Sequence, residues 1–417
     1  MVFVSVKGRI LINVEALNMT ESVGNYVKHR RVPVVLPKTY TTYFVPAISG
    51  ESIAHGYQAL LAQQALKEKL PVCKLCQKGI FLKSTNEDVF KYAFTDEKQV
   101  KEVLKNQSKF EEFVIRNCVV EDTGGFLYAP RGGGNVKRTS NFYTGYMIPV
   151  NEVLESVVIE PQLHSRYALG TQFVKKGAVG QMIYYVELSS AVYAFSFDLD
   201  TEYIGKATFD QEKAGTVVVE DREKRIDVTL VTLKNFIAET LFGAKRTRFL
   251  PVVDWESLVV AVSDNVWTVP SSISANYINN SISKAEKYGE NLRLYVYINP
   301  EILAGTGAYI KKKTEELIDT MKQVIDNWKR NVQEKMPEYA SKIDWDSIVK
   351  SKLESLISKR LEEVAESADM RYITTVEEKY AKSKETIESG GGEKIKLYDS
   401  LVSCISEAIN EAKNRIE

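Results

Sequence analysis

The first stretch of the chain alternates apolar and polar residues. In "MVFVSVKGRILINVEAL" the apolar positions fall on one face of an extended chain, namely Val4, Val6, Ile10, Ile12 and Val14. The polar positions fall on the other face, namely Ser5, Lys7, Arg9 and Asn13. A period of two is that of a β-strand. We therefore predict a strand here rather than a signal peptide, whose apolar stretch would be uninterrupted, and cytoplasm is the default location.

Helical and strand-like periods then alternate along the chain. The segment "ISGESIAHGYQALLAQQALKEKL" predicts a helix that starts near Ser49 and Gly50, with an apolar stripe formed by Ile53, Tyr57, Leu60 and Leu61. A second strand is predicted in "AVYAFSFDLD", where one face carries Tyr193, Phe195, Phe197 and Leu199. "KNFIAETLFG" predicts a helix closed by Gly243, and "RFLPVVDWESLVVAVSD" one or two further strands.

This order predicts an α/β (α+β) fold, a ferredoxin-like or RRM-like sandwich that carries insertions. In an RRM, aromatic side chains of the sheet stack on bases, so the Tyr193–Phe197 stripe either does this or packs the sheet on its helices. From about Ile310 the chain is charged and helical in period, and "ESGGGEK" precedes a last helix. We predict an α/β unit over residues 1–305 and a helical C-terminal extension over residues 306–417.

The charge balance limits how such a chain can bind nucleic acid. Among 417 residues, 55 Lys and Arg balance 55 Asp and Glu, so the formal net charge is zero. A chain without an overall positive field cannot hold RNA by bulk attraction, and its cations must be gathered locally. No run of about eighteen apolar residues occurs, so we expect no membrane partner.

Local clusters of cations do occur. "KHRR" covers Lys28 to Arg31, "KRTR" covers Lys245 to Arg248, and Arg131, Lys137 and Arg138 flank three consecutive glycines. Glycine lets the main chain approach an anion and present its N–H groups. Each cluster is therefore a candidate phosphate contact, and a solvated surface is the alternative for each.

Two of the four cysteines form a C-x-x-C pair, Cys73 and Cys76. Such spacing is typical of zinc knuckles, which need four ligands, and Cys118 and His55 are the candidates for the third and fourth. Two thiols without a ligand and a disulfide or redox pair are the alternatives. In the cytoplasm a disulfide is disfavoured unless the host is a hyperthermophile.

Enzymatic signatures are scarce. The chain has three histidines and lacks G-x-S-x-G, H-E-x-x-H and Walker sequences. His164 beside Arg166 could support general acid–base cleavage of RNA. No helix-turn-helix is legible, which disfavours a transcriptional regulator.

Several blocks in fixed order carry a family resemblance. They are "LNMTESVGNYVKHRRVPVVL", "VPAISGESIAHGYQALL", "GGFLYA" followed by "VKRTSNFYTGYMIP", "AVYAFSFDLD" and "GAKRTRFLP". Over most of residues 1–260 the chain resembles the backbone subunit of the type I-A CRISPR Cascade complex, a member of the DevR-like RAMP superfamily. The resemblance does not extend to the tail beyond about residue 305.

The resemblance implies a modified RRM-like palm with a finger insertion at about 60–120 and a thumb at about 201–223. Copies of such a protein stack into a helical filament along CRISPR guide RNA and leave bases exposed to pair with target DNA. The implied partners are other Cascade subunits and the helicase–nuclease effector. The implied protein is non-catalytic and requires no cofactor, with structural zinc as a candidate. The alternative is an RNA-processing or target-RNA-cleaving ribonuclease of the same superfamily. Related backbone subunits of type III complexes cut target RNA with an Asp in a loop, and by position Asp122 is a weak candidate for that residue.

The resemblance also selects candidate RNA contacts, because a sequence-blind binder must grip phosphates and sugars. The segment after the first strand supplies polar and cationic side chains, namely Asn18, Ser22, Asn25, Lys28, His29, Arg30 and Arg31. A predicted helix start favours phosphate at Ser49, Gly50 and Ser52. The remaining candidates are Arg131, Lys137, Arg138, His164, Arg166, Lys245, Arg246 and Arg248.

Overall fold

The structure is a computed structural model that describes residues 1–37, 39–83, 85–94, 100, 102–104, 106–130, 134–167, 181–288, 291–340, 344, 359, 368–390, 392 and 394–416. The chain divides into two compact units. The first comprises Met1–Ile298 together with Ile387–Glu417, and the second comprises Asn299–Thr386. Among the described residues no helix is both long and apolar enough to cross a membrane.

A large mixed sheet organises the first unit. Its strands are β1 (Phe3–Glu15), β2 (Met19–Val23), β3 (Tyr26–His29), β8 (Phe142–Thr144), β9 (Ile148–Pro149), β10 (Val158–Tyr167), β11 (Gln181–Asp200), β12 (Val252–Ser263), β13 (Leu292–Ile298) and β14 (Ile395–Tyr398). They run in the order β14-β13-β12-β1-β11-β3-β2, and β8, β9 and β10 also pair with β11. Two separate hairpins are formed by β4 (Arg31–Val35) with β5 (Thr42–Pro46) and by β6 (Phe126–Tyr128) with β7 (Val136–Arg138).

Strand β1 lies between β11 and β12 and is antiparallel to both. Four members of its predicted apolar face are fully buried, namely Val4, Val6, Ile10 and Ile12. The pattern fails at Val14, which is exposed and has a positive φ of 56°. The pairing with β11 shifts register between Ile12 and Glu15, so the alternation of faces is broken at that point.

Helices pack against both faces of the sheet. The helices of the first unit are α1 (Gly50–Lys67), α2 (Glu87–Ala93), α3 (Gln107–Asn117), α4 (Val119–Gly124), α5 (Arg222–Ala238), α6 (Tyr277–Glu286) and α10 (Leu401–Asn414). Helix α1 packs on α5, and α5 packs on α10. Tyr57 of α1 meets Phe197 of β11 and Phe236 of α5 with ring centroids 4.8 and 5.7 Å apart. The stripe Tyr193–Phe197 therefore packs the sheet on its helices and is not free to stack on bases.

The end of the chain returns to this sheet, which corrects the predicted extension over residues 306–417. Strand β14 pairs in parallel with β13, and α10 packs against β12 and β13. Cys404, Ile405 and Ile409 on α10 are buried in the main core. The prediction relied on helical period alone, and the four-residue strand before α10 is too short to be read that way.

The second unit is helical in its described part. It contains α7 (Pro300–Lys335) and α8 (Pro337–Ala340), while α9 (Ala368–Gly390) begins in this unit. Asn299 caps α7 by accepting a hydrogen bond from the amide of Glu301, and proline occupies the first turn.

Residues 68–141 form an insertion between α1 and β8, and they contain α2, α3, α4 and the β6–β7 hairpin. The predicted finger at 60–120 therefore begins too early, because residues 60–67 belong to α1. A buried ion network holds the insertion together. Arg138 contacts Glu111 at 3.0 Å and Asp122 at 2.5 Å, and Arg225 of α5 contacts Asp122 at 3.2 Å.

The segment 201–223 attaches to the same network. The amide of Gly205 donates to Asp122 at 3.0 Å, and the amide of Thr208 donates to Glu111 at 3.0 Å. Val218 and Val219 are buried further along, so only its middle part, residues 211–217, is continuously exposed. The thumb predicted at 201–223 is thus a connection packed on α3 and α4 rather than a projecting element.

Replacing Arg138 by Gln should destabilise the protein by roughly 3–5 kcal/mol, because it leaves two buried carboxylates short of a cation. The matched control is Lys137→Gln on the same strand, where the side chain is exposed and the expected change is within about 0.5 kcal/mol. Chemical denaturation of both variants measures the difference. Equal, small effects would contradict the role given to the network.

Candidate nucleic-acid interface

Three of the predicted contact residues meet where β1 ends and α1 begins. The Asn18 Oδ1 atom accepts hydrogen bonds from Arg30 Nε at 2.9 Å and from the Ser49 amide at 2.8 Å. Ser49 is the N-cap of α1, and its hydroxyl accepts from the Ser52 amide at 3.3 Å. The first N–H groups of a helix lack partners inside it, so this end carries partial positive charge. Arg30 is therefore fixed beside the positive end of α1.

An open cleft of about 830 Å³ adjoins this helix start. It is lined by Gly50, His55, Lys83, Tyr143 and Tyr146 among others, and both tyrosines are about half exposed. The Arg30 guanidinium lies 6.0 Å from the centre of the Tyr146 ring. A side chain at position 50 would place its Cβ 2.8 Å from the Thr144 carbonyl oxygen, so glycine is required there.

The loop after α5 carries the cations Lys245, Arg246 and Arg248. The amide of Ala244 donates to the Leu17 carbonyl at 2.8 Å, which brings the loop to the end of β1. Within the described part of the chain these three cations form no ion pair. Burial and then the charge of Arg248 lower the pKa of Lys245. The cluster therefore carries positive charge that no carboxylate of the described residues balances.

Other predicted cations are already neutralised. Arg31 Nη2 contacts Glu187 at 2.7 Å, and Lys28 Nζ contacts Glu21 at 3.3 Å. Ser22 and Asn25 are exposed on the β2–β3 hairpin, where Asn25 donates to the Ile183 carbonyl at 3.0 Å. These residues remain accessible, but a phosphate would compete with protein carboxylates for the two cations.

Three predicted contacts are buried because the fold uses them internally. Ser49 is 3 % exposed and caps α1. Arg138 is 3 % exposed and serves the ion network. His29 is 2 % exposed; its Nε2 atom lies 2.6 Å from a Glu15 carboxylate oxygen and its Nδ1 atom 2.9 Å from the Arg30 carbonyl oxygen. Of the glycine loop, Lys137 is exposed and Arg131 lies outside the described residues.

The two candidates for RNA cleavage are confined. The His164 ring stacks on Tyr184 with centroids 5.3 Å apart and meets Phe249 edge-on at 5.3 Å. Asp122 is fully buried between Arg138 and Arg225. Arg166 lies on β10, and its side chain is outside the described residues. The stacking does place Phe249, at the end of the cationic loop, against β10.

Sequence reasoning missed Lys83 and the two cleft tyrosines. Lys83 Nζ donates to the Gly124 carbonyl at 2.6 Å and lies on the cleft wall. Tyr143 and Tyr146 belong to "FYTGYMIP", whose aromatic residues beside a cationic segment were the available signal. The sequence gives no signal for Lys83, because this residue reaches the cleft only through the packing of the insertion.

The structure brings the sulfur atoms of Cys73, Cys76 and Cys118 within 4.8 Å of one another, all three residues being buried. His55 does not join them: it is exposed, and its Nε2 atom faces the Gly79 carbonyl at 3.1 Å. The group at the cluster is instead Glu121, which the sequence did not single out. Burial raises the pKa of its carboxyl to about 7.

Most of the first unit also matches a known protein family. A family model described as "CRISPR-associated negative auto-regulator DevR/Csa2" matches residues 6–282. The chain is similar to CRISPR-associated aCascade subunit Cas7/Csa2 2 of Saccharolobus solfataricus, at 37% identity over 74% of this chain and 96% of the relative. It is also similar to CRISPR-associated protein Cas7/Csa2 1 of that organism, at 39% identity over 64% of this chain and 81% of the relative.

More distant matches include CRISPR-associated protein Cas7/Cst2/DevR of Thermoproteus tenax, at 26% identity over 68% of this chain and 81% of the relative. A solved chain titled "CRISPR RNA-guided surveillance complex, pre-nicking" matches with a TM-score of 0.40 and 10% identity, over 71% of this chain and 92% of that one. The mixed α/β fold and the match over residues 6–282 define the class: the chain belongs to the DevR/Csa2 family of CRISPR-associated proteins. Within that family its similarity is to Cas7/Csa2 proteins.

The His29 contacts predict a pH-dependent contribution to stability. Burial opposes the charged ring, but the hydrogen bond and charge of Glu15 outweigh it, so the pKa of His29 is raised. Glu187, which accepts from the His29 amide at 2.7 Å, acts in the same direction. The pairing therefore stabilises fully below the unfolded value of about 6.5 and is lost as pH rises through the higher folded-state pKa.

We expect the stability difference between the native chain and His29→Gln to be larger at pH 6 than at pH 9, measured by chemical denaturation across that range. His55→Gln is the control for the loss of a histidine, because that ring is exposed. A difference for His29→Gln that does not change with pH would show that the ring is neutral in the folded protein.

Proposed function

We propose that this chain is a non-catalytic backbone subunit of a type I-A Cascade complex that coats CRISPR guide RNA. It holds the RNA through phosphates and sugars and presents the spacer bases for pairing with target DNA. Other Cascade subunits and a helicase–nuclease effector would complete the complex. Membership of the DevR/Csa2 family supports the proposal, as does the similarity to a protein named as an aCascade subunit.

The strand order supports an RRM-like palm. Strands β12, β1 and β11 are adjacent and antiparallel, with β8 and β9 beyond β11. Helix α1 follows β1 and helix α5 follows β11, and the two pack together. This is the connectivity of a split βαβ unit, in which the insertion 68–141 would be the finger.

RNA binding rests mainly on Lys245, Arg246 and Arg248, which have no acidic partner in the described part of the chain. Their loop contacts the residue before Asn18, because the Ala244 amide donates to the Leu17 carbonyl at 2.8 Å. Unpaired cations and a helix N-terminus favour phosphate without reading base edges. In RNA-guided complexes the protein holds the RNA backbone and base pairing provides the sequence specificity, which fits such contacts.

Non-catalytic binding is supported by the state of the acid–base candidates. A general base must reach its proton within hydrogen-bond distance. Asp122 is enclosed by two arginines, and the His164 ring is held between Tyr184 and Phe249. Neither group is presented to the 830 Å³ cleft beside α1.

We assign the thumb to the β10–β11 ribbon. Strand β11 pairs with β1 only from Ser189 onward, whereas β10 pairs with the first half of β11. The ribbon formed by β10 and β11 therefore continues past the end of β1. Leu163 and Ile183 lie on one face of it and are 59% and 42% exposed. An exposed apolar face on a ribbon of a filament-forming protein suits contact with the next copy.

Arg248→Ala should weaken binding of two unrelated single-stranded RNAs alike, because a phosphate contact carries no sequence information. The slope of log affinity against log salt should fall by about 0.7, since the variant neutralises one phosphate fewer. Lys91→Ala is the matched control, an exposed cation already paired with Glu87. Weaker binding of one RNA only would indicate base readout and would contradict the proposal.

The double variant Leu163→Asp, Ile183→Asp should spare binding to an RNA that fits one copy and abolish cooperative binding to longer RNAs. Neighbouring copies raise the effective concentration of the next only if they touch. Val402→Asp, at an exposed apolar position on α10, is the control. Binding to a graded RNA length series, with gel analysis of the products, measures it. Affinity independent of length in the native chain would refute the filament, and RNA cleavage would refute the non-catalytic assignment.

A further inference from the structure

The three buried cysteines come from two separate segments. Cys73 and Cys76 lie in the turn after α1, where a 3-10 helix (Cys76–Lys78) ends at Gly79 in the left-handed conformation with φ 73°. Cys118 lies at the junction of α3 and α4. The amide of Val119 donates to the Pro71 carbonyl at 2.9 Å, which fixes the segments side by side. The sulfur atoms converge because the backbone holds both turns together.

The local geometry resembles a metal-binding knuckle. The amide of Cys76 points to the Cys73 sulfur at 3.5 Å, a contact that stabilises a thiolate. A tetrahedral zinc ion with Zn–S bonds of about 2.3 Å requires sulfur atoms about 3.8 Å apart. The observed separations of up to 4.8 Å therefore need closure of at most ~1 Å.

Glu121 adjoins the cluster at Cys76. Only the three sulfur atoms lie within 4.8 Å of one another, so the Glu121 carboxylate has to turn toward them to act as a ligand. It follows Cys118 by one turn of chain, and its Oε1 atom lies 2.8 Å from the Cys76 sulfur and 2.9 Å from the Leu82 amide. Its Oε2 atom is buried and has no hydrogen-bond partner among the described residues. An unpaired oxygen on a buried carboxyl is unfavourable unless a cation or donor meets it.

Simple packing of thiols does not account for that oxygen. A disulfide between two of the cysteines would leave the third thiol and the Glu121 oxygen unmatched, and all four cysteines are free in the structure. A cation bound by the three sulfur atoms would also meet the Glu121 oxygen once the carboxylate turns toward it. Three sulfur ligands select a borderline-soft ion, and zinc also accepts a carboxylate oxygen.

We propose that Cys73, Cys76 and Cys118, with Glu121 as the fourth ligand, hold one structural zinc ion. Binding replaces the thiol protons, which are released to solvent. The ion ties the first turn of the insertion to the start of α4. Asp122, the next residue after Glu121, is thereby held at the centre of the ion network. The proposal is independent of RNA binding.

Elemental analysis of the full chain, purified without chelator, should give one zinc per chain. Cobalt substituted for zinc should show thiolate-to-metal charge-transfer bands and intense visible bands of a tetrahedral site. A native chain that retains no zinc, and that after metal removal fails to compete with a chromophoric chelator for added zinc, would overturn the proposal.

Variants assign the ligands. Cys73→Ser should lose the metal, whereas Cys404→Ser, a buried cysteine outside the cluster, should keep it. Glu121→Gln should lower zinc affinity by more than the roughly 10–100-fold typical of removing a residue that only hydrogen-bonds to a ligand, and should change the visible cobalt spectrum. An unchanged spectrum and affinity for Glu121→Gln, or loss of zinc in His55→Ala, would refute the assignment of the fourth ligand. If Cys73→Ser does not fold, the metal content and cobalt spectrum of the native chain decide the case.

Discussion

Asp122 is the constraint on which the first unit depends. It is fully buried and receives Arg138 from β7, Arg225 from α5 and the amide of Gly205 from the connection after β11. The buried members, Arg138 and Arg225 with Asp122 and Glu111, balance in formal charge, and Arg225 also contacts the partly exposed Asp221 at 2.7 Å. A balanced buried network tolerates no single loss, because the remaining charge would be stranded in a low dielectric. The insertion, helix α5 and the connection after β11 are therefore fixed to one another through a single side chain.

The use of cations inside the fold decides which ones remain for a ligand. Arg138 is consumed by the network, and Arg31 is matched by Glu187. The loop at Lys245 to Arg248 has no such acid in the described part of the chain, and its two flanking contacts, at Leu17 and at His164, are a backbone bond and an aromatic pair. A chain of zero net charge thus concentrates unsatisfied positive charge at one edge, where a polyanion is attracted locally rather than by the whole surface.

Periodicity predicted β1 and α1, because each is long and has one clearly apolar face. It found only the second half of β11 and the last turn of α5: the helix was predicted over residues 234–243 with Gly243 closing it, whereas α5 is Arg222–Ala238. It could not tell exposed from buried cations: Lys137 and Arg138 are neighbours in sequence, yet one faces solvent and the other two carboxylates. The two carboxylates that pair with Arg138 lie 16 and 27 residues earlier in the chain. Glu121 was missed for the same reason, since only the fold brings it to Cys76. The short strand β14 carried too few residues for its period to be read.

The position of β14 shows that the second unit is inserted between two paired strands. The helical unit Asn299–Thr386 lies in sequence between β13 and β14, two strands that are neighbours in one sheet. It is therefore an insertion within a crossover rather than an appendage at the end of the chain. Crossovers between parallel strands accept very different lengths above about a dozen residues. The length of the crossover can change without altering the sheet, whereas loss of residues 395–416 would expose the edge of β13 and the core beneath α10.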